Sequence, residues 1–438
     1  MAAFALCVLA FALRIAITAF VPPAPTADFV DITWYHLTGK LLAEGHGYVN
    51  PWTGYPTASW PPGYPLVLAA AYALLGSDPR VGALVNAIAG ALTCACCYRL
   101  GTLAGGSRRA GLIAAALVAV LPSHVFFAPL LMTESVFAAL VCAALLAAGV
   151  LLRTPVDRDR LWRWVAWGAG VGVAALVRAE GACVVGVAVA AAFLTSGLRR
   201  ATRVLVGAAF GVSCVLAPWA YRNAGVFHAF VPLSTGFGRS FWIGHNDAAT
   251  GAMTLRLQDL AEERIMRPLA GVPGPDGERQ RDKRAIALAL DYAVHHPVRE
   301  AELALAKIYY LFRGDHAFLA YYEYRPRPGG LSAATCTLLG RVANVFYVLL
   351  LPPALLGWLA FLRSREPLRL VLALFPMLWI ALFALLHGDP RFHFPLLPIF
   401  CVLAAATVQN RAASQRDVSR TSGGPNSSTS SSTKTARQ

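Results

Sequence analysis

The groups able to do chemistry in this chain are acids and cations set in apolar sequence. Asp28 and Asp31 stand three apart, and Asp31 and Tyr35 four apart. Each pair shares a face if the segment is helical. A carboxylate so placed can take a proton from a hydroxyl. Arg178, Arg222, Arg391 and Lys40 are cations that can meet an anion, and arginine holds phosphate through a bidentate fork. Glu134, Glu180 and His393 accompany them. Each also has a plain structural reading. Asp28 suits a helix N-cap, and Asp31 suits a first-turn acid favoured by the helix dipole. Glu134 suits a helix start. Arg178 and Glu180 suit a self-neutralised turn, and Arg222 an interfacial anchor beside Trp219 and Tyr221.

The elements that carry these residues follow from hydropathy. Of 438 residues, 57% are hydrophobic and 14% charged, whereas soluble domains average about 25% charged. This excludes a disordered chain, a disulfide scaffold and an ordinary cytosolic enzyme. Windows at 2–21, 81–98, 110–133, 135–152, 164–177, 181–198, 204–221, 342–362, 370–388 and 392–410 are long and apolar in the manner of spans. Arg14 interrupts the first, and the 164–177 window is expected to begin near Leu161. The segment 63–76 is too short to span comfortably and reads as interfacial or re-entrant. The expectation is an all-α polytopic membrane protein of about ten transmembrane helices, with helices resting on the membrane outside them.

Loop charge orients the bundle. The loops 99–109, 153–163, 199–203 and 363–369 and the tail from 411 carry 18 Lys or Arg against four acids. The short turns on the other side hold only Arg178 and Arg391. Basic loops stay cytoplasmic, so residues 22–80 and 222–341 become extracytoplasmic loops of a multi-pass plasma (inner) membrane protein. The surplus of positive charge is therefore a topology signal and not a nucleic-acid footprint. Pro25-Thr26-Ala27 resembles a signal-peptide cleavage site, but no basic n-region precedes it. The first window is read as a retained span.

Other features say less. Cys94, Cys96 and Cys97 fall in mid-span and read as small packing residues. His295-His296-Pro297 reads as the junction of two helices, at 282–294 and 298–312. The segment 271–279 is rich in Gly and Pro and reads as a mobile connection. Residues 1–410 form the membrane-embedded unit, and the Ser/Thr-rich tail 411–438 reads as disordered and cytoplasmic.

At the first polar segment a resemblance becomes specific. The run Asp31-x-x-x-Tyr35-x-x-x-Gly39-x-x-x-Ala43-x-Gly45-x-Gly47-Tyr48, followed by Pro56-Thr57-Ala58-x-x-Pro61-Pro62-Gly63-Tyr64-Pro65-Leu66, resembles the first external loop of GT-C membrane glycosyltransferases. The similar branch is the protein mannosyltransferase and aminoarabinose transferase superfamily, including rhizobial lipopolysaccharide sugar transferases. Met132-Thr133-Glu134-Ser135, Leu176-Val177-Arg178-Ala179-Glu180-Gly181, Ala217-Pro218-Trp219-Ala220-Tyr221-Arg222-Asn223 and Gly388-Asp389-Pro390-Arg391-Phe392-His393-Phe394-Pro395 resemble the same family, in order. Where many members have Glu after the loop aspartate, this chain has Ile32.

The resemblance implies an inverting glycosyltransferase that moves a sugar from a polyprenyl-phosphate donor to an acceptor hydroxyl on the extracytoplasmic face. The acceptor is a glycan, a lipid or a protein. Asp31 takes the position of the catalytic base, with Asp28 as the alternative. Arg222, Arg391, Arg178 and Lys40 are the donor-phosphate ligands, and Tyr35, Glu134, Glu180 and His393 are further site residues. No cofactor is assigned, and dependence on a divalent metal stays open. Two other classes remain: a transporter of a lipid or small solute, and a lipid-linked glycan ligase or polymerase. Transporters favour charges at the midplane and repeated halves, whereas the polar groups here gather at one membrane face.

Overall fold

Apolar runs become helices throughout, because inside a bilayer each backbone N–H and C=O has to be satisfied within its own segment. The computed structural model describes residues 1–21, 23, 30–323 and 331–408. Its helices are α1 (Ala2–Phe20), α2 (Val30–Ala43), α3 (Gly63–Leu75), α4 (Pro79–Gly105), α5 (Arg108–Val120), α6 (Pro122–Phe126), α7 (Glu134–Leu152), α8 (Leu161–Val177) and α9 (Cys183–Ser196). The second half holds α10 (Leu198–Phe227), α11 (Phe237–Ile243), α12 (Leu255–Ala261), α13 (Gly274–His295), α14 (Pro297–Phe312), α15 (Ala320–Glu323), α16 (Ala333–Leu362), α17 (Pro367–Leu385) and α18 (Leu397–Val408). Among the described residues β-structure is limited to two isolated bridges.

Seven helical segments among the described residues are long and apolar enough to cross a membrane: α1, α4, α7, Ala179–Ser196 around α9, α10, α16 and α17. The apolar helices α3, α8 and α18 are shorter. The chain is an integral, multi-pass, all-α membrane protein. The helix expected from Leu161 starts there. The tail, and Asp28 with its expected capping role, lie outside the described residues.

The expected span at 110–133 is not one helix. α5 stops at Val120, because proline at 122 cannot continue the backbone ladder. The carbonyls left open at the end of α5 find a donor in α1. The Arg14 guanidinium, fully buried, donates to Val118 O at 3.3 Å, Ala119 O at 3.4 Å and Ala10 O at 2.7 Å. Gly90 of α4 makes this possible, since a Cβ there would strike the Arg14 side chain. The charge that interrupts the first apolar window thus caps a broken helix.

Beyond α6 the chain turns rather than spans, and Asn86 pins the turn. Its Nδ2 donates to Ala128 O at 3.2 Å and Leu130 O at 2.7 Å, while its Oδ1 accepts from Tyr64 Oη at 3.1 Å. This delivers Thr133 and Glu134 to the start of α7.

Helix α2 packs inside the protein against α3. Ile32, Trp34 and Tyr35 are buried, with Ile32 among Phe127, Leu130, Leu131 and Phe318. Gly63 brings the start of α3 against the backbone of Leu176 and Val177, where a Cβ would sit only 2.6 Å away. The α2–α3 pair is thereby held over the end of α8.

The connection at 271–279 also differs from expectation, because α13 already begins at Gly274. Glu278 accepts from Thr57 Oγ1 at 2.7 Å, from the Ala58 N–H at 2.9 Å and from the Thr235 hydroxyl. Three donors on one carboxylate fix the segment that Gly and Pro made look loose. His295 and Pro297 mark the α13–α14 junction as read from sequence. Cys94 and Cys97 are buried and donate to Ala115 O and Pro398 O.

The basic loops converge at one end of the bundle. Arg153 reaches Leu103 O at 3.0 Å and Glu366 at 2.7 Å, Arg369 reaches Ala104 O at 2.8 Å, and Arg200 reaches Leu151 O and Thr154 O. Helix α7 runs from Glu134 to this end over 19 residues, about 28 Å at 1.5 Å per residue.

Candidate active site

Four elements bring their charged ends together at the other end of α7. Asp31 lies in the first turn of α2, where the helix dipole favours a carboxylate. Glu134 opens α7, and Arg178 ends α8. Arg391 sits in a single 3₁₀ turn, 390–393, capped by Asp389, whose Oδ1 accepts from the Arg391 N–H at 2.7 Å. Trp379 Nε1 fixes this turn by donating to Phe392 O at 2.8 Å.

The guanidinium of Arg391 bridges two acids. Its Nη1 is 3.1 Å from Asp31 Oδ2, and its Nε is 3.3 Å from Glu134 Oε1. Nη1 also donates to Tyr321 Oη at 2.9 Å. Glu134 Oε1 meets Arg178 Nη1 as well, at 3.2 Å. The second arm of Arg178 holds Glu180 Oε1 at 3.2 Å, and Nη1 touches Thr133 Oγ1 at 3.3 Å. Both arginines lie by the ring of Phe392, with each guanidinium carbon 5.4 Å from its centre, close enough for cation–π attraction.

Three carboxylates therefore face two guanidiniums, leaving one formal negative charge in surplus. Burial opposes the charge on Arg178, but Glu180 and Glu134 more than offset it and raise its pKa. Burial likewise opposes the charge on Arg391, and Tyr321, Glu134 and Asp31 overcome it. Burial, and then the charge of Asp31, push the Tyr35 phenol up, so it stays protonated.

The acids differ in access. The Asp31 side chain is 34% exposed, and that of Glu134 only 3%. Asp31 can meet an incoming hydroxyl, whereas Glu134 is enclosed between its two arginines. Among the described residues no group of three or more His, Cys, Asp or Glu is arranged to hold a metal ion.

The remaining expected site residues sit elsewhere. Arg222 donates to Thr57 O and Tyr48 O, each at 2.7 Å, and to Asn223 Oδ1 at 2.9 Å. It also lies over Trp219. Among the described residues it shares no partner with Arg391 or Arg178, and it acts as a clamp on the 48–57 loop because main-chain carbonyls take its fork. Lys40 is on the last turn of α2, about 13 Å along the helix from Asp31, and pairs with Glu44 at 3.8 Å. His393 follows Arg391 closely in sequence but points into the core. Its Nε2 meets Asp315 Oδ1 at 3.2 Å and its Nδ1 donates to Leu311 O at 2.7 Å. The structure thus gathers Asp31, Tyr35, Glu134, Arg178, Glu180 and Arg391, and leaves Arg222, Lys40 and His393 apart.

Tyr321, Thr133 and Phe392 join the site without having been singled out. Thr133 and Phe392 stood inside quoted motifs. Tyr321 had only the aromatic pair Tyr321-Tyr322 as a signal.

Comparison with known proteins agrees with this architecture. Residues 59–221 match the family model described as dolichyl-phosphate-mannose-protein mannosyltransferase. A search of curated proteins returns no match. The fold resembles the archaeal oligosaccharyltransferase AglB from Archaeoglobus fulgidus, solved with an inhibitory peptide and a dolichol-phosphate, at a TM-score of 0.54 and 16% identity. That alignment covers 97% of this chain and 52% of the archaeal one, so the chain spans about half that enzyme's length. ArnT from Cupriavidus metallidurans, solved with undecaprenyl phosphate, aligns at a TM-score of 0.47 and 15% identity over 95% of this chain and 79% of its own. The chain resembles the membrane glycosyltransferases of the GT-C superfamily.

Proposed function

We propose, from a fold shared with GT-C membrane glycosyltransferases, that this protein moves a sugar from a polyprenyl-phosphate donor to an acceptor hydroxyl, with inversion, at the extracytoplasmic membrane face. The observation that carries this reading is the cluster of Asp31, Glu134, Arg178 and Arg391, brought from four separate elements to one end of the bundle. Its distance from the basic end supports the extracytoplasmic placement. The dolichol-phosphate bound by the archaeal oligosaccharyltransferase of like fold supports a lipid-phosphate donor.

The residues divide the work as follows. Asp31 accepts the proton of the acceptor hydroxyl. The resulting oxygen attacks the anomeric carbon from the side opposite the phosphate, so the new C–O bond forms as the bond to phosphate breaks. The electron pair leaves with the phosphate, and Arg391 with Arg178 balances its charge. Glu134 positions both guanidiniums. Tyr35, protonated and buried beside Asp31, backs the base.

The test uses purified protein in vesicles with a polyprenyl-phosphate sugar labelled in the sugar. The expected result is release of the polyprenyl phosphate with transfer of the label, abolished by Asp31→Asn. Movement of intact donor across the vesicle membrane without cleavage of the sugar–phosphate bond would instead establish a transporter.

A further inference from the structure

Resting on the donor reading above, we propose that Arg391 masks Asp31 in the unliganded protein, and that the donor phosphate uncovers the base by drawing Arg391 away. The partner lists of the two acids are unequal. Glu134 meets Arg391, Arg178 and Thr133. Among the described residues Asp31 is held by Arg391 alone. When Arg391 leaves, Glu134 keeps an ionic partner in Arg178, which it shares with Glu180, and Asp31 keeps none among the described residues. It is also the more exposed of the two.

The exchange favours phosphate on geometric grounds. Arg391 holds Asp31 through one nitrogen and one oxygen, at 3.1 Å, and its Nη2 makes no hydrogen bond among the described residues. A phosphate offers several oxygens to the two-pronged edge of a guanidinium, whereas a partly exposed single-point ion pair is cheap to open. Tyr321 Oη, also on Nη1, lets the guanidinium swing without losing all its partners. Donor binding therefore precedes deprotonation of the acceptor. In the resting enzyme Arg391 is paired with one oxygen of the base, so an acceptor arriving first meets a carboxylate that already has a counter-charge.

Binding of undecaprenyl phosphate to the full-length protein in lipid–detergent micelles tests this, with a thermal melt to check folding. If Asp31 competes for Arg391, Asp31→Asn should bind undecaprenyl phosphate roughly 3- to 10-fold more tightly than wild type while losing turnover. Asp31→Ser carries the same expectation should the amide disturb α2. Glu44→Gln removes one charge from the far end of α2, where it pairs with Lys40 and touches neither Arg391 nor Arg178, and should shift binding by less than about 2-fold. Equal tightening in both variants would mean bulk charge alone and overturn the exchange. Unchanged or weaker binding in the Asp31 variants would also overturn it. Arg391→Met should weaken binding by about 10-fold or more. If wild type does not bind the probe, or Arg391→Met binds it equally, the donor reading itself fails and the masking proposal falls with it.

Discussion

The two ends of α7 carry two charge clusters built from the same residue types with opposite balance. At the basic end Asp159 is buried. It meets Arg200 at 3.2 Å and Arg203 at 3.6 Å and accepts from Trp164 Nε1 at 2.8 Å. Glu366 there pairs with Arg153 and also caps α17 through the N–H groups of Leu368 and Arg369. Acids are outnumbered there, and Asp159 and Glu366 are each held by several donors. At the other end three acids share two arginines, and among the described residues Asp31 has a single ionic partner, with a third of its side chain in reach of solvent. An ion cluster whose acids are all multiply held tightens a bundle. One that leaves a carboxylate underpaired retains a group able to accept a proton.

The largest expected contrast is between the two aspartates. Asp31→Asn should lower turnover by roughly 10²–10⁴-fold, the range for loss of a general base, with thermal stability near wild type. Asp159→Asn should do the reverse, keeping turnover per folded molecule while lowering stability by about 3 kcal/mol, because Arg200 stays buried without its counter-charge. Turnover measured beside a thermal melt separates them. Loss of turnover with intact folding in both variants would erase the contrast.

Arg391→Lys sharpens the comparison at the level of a single cation. The charge stays but the fork that spans Asp31 and Glu134 is lost, so turnover should fall roughly 10-fold or more. The matched change at the basic end, Arg153→Lys, touches a partly exposed pair and should move stability by less than about 1 kcal/mol, with turnover unchanged. Steady-state rates on both variants decide whether fork geometry matters at one end alone.

Arg222 tests whether site-side arginines outside the cluster act chemically. Arg222→Lys loses the paired hydrogen bonds to Tyr48 O and Thr57 O. It should make the 48–57 loop more sensitive to limited proteolysis while changing the donor KM by less than about 3-fold. A large rise in donor KM with an intact loop would bring Arg222 back among the phosphate ligands.

The smallest expected effect concerns pH. The basic loops hold no histidine, whereas His387 lies buried just before Arg391. Burial pushes its imidazole down to about 4, although Asp389 opposes the shift. The unfolded chain takes up that proton first, near the ordinary value of about 6.5. Stability from this group is thus present above about 6.5 and lost as pH falls toward 4. His387→Asn keeps a donor for Ser240 O and should flatten that part of the profile. Thermal midpoints from pH 7 to pH 4 that run parallel in the two proteins would remove the effect.

Sequence alone determined the class of this protein. Hydropathy marks the spans because a bilayer demands one long apolar helix per crossing, and the arginines of the loops mark one end of the bundle. The positions of Asp31, Glu134, Arg178 and Arg391 in recognisable motifs made them candidates. Tertiary structure alone decided which candidates meet. Asp31 and Arg391 lie 360 positions apart, and no periodicity connects residues at that separation. Arg222 and Arg391 look alike in sequence, yet backbone carbonyls take one and carboxylates the other, because that choice depends on which loop folds over each. The apolar window at 110–133 reads as one span since hydropathy counts residues and not helix breaks. Only packing showed Arg14 capping the broken end.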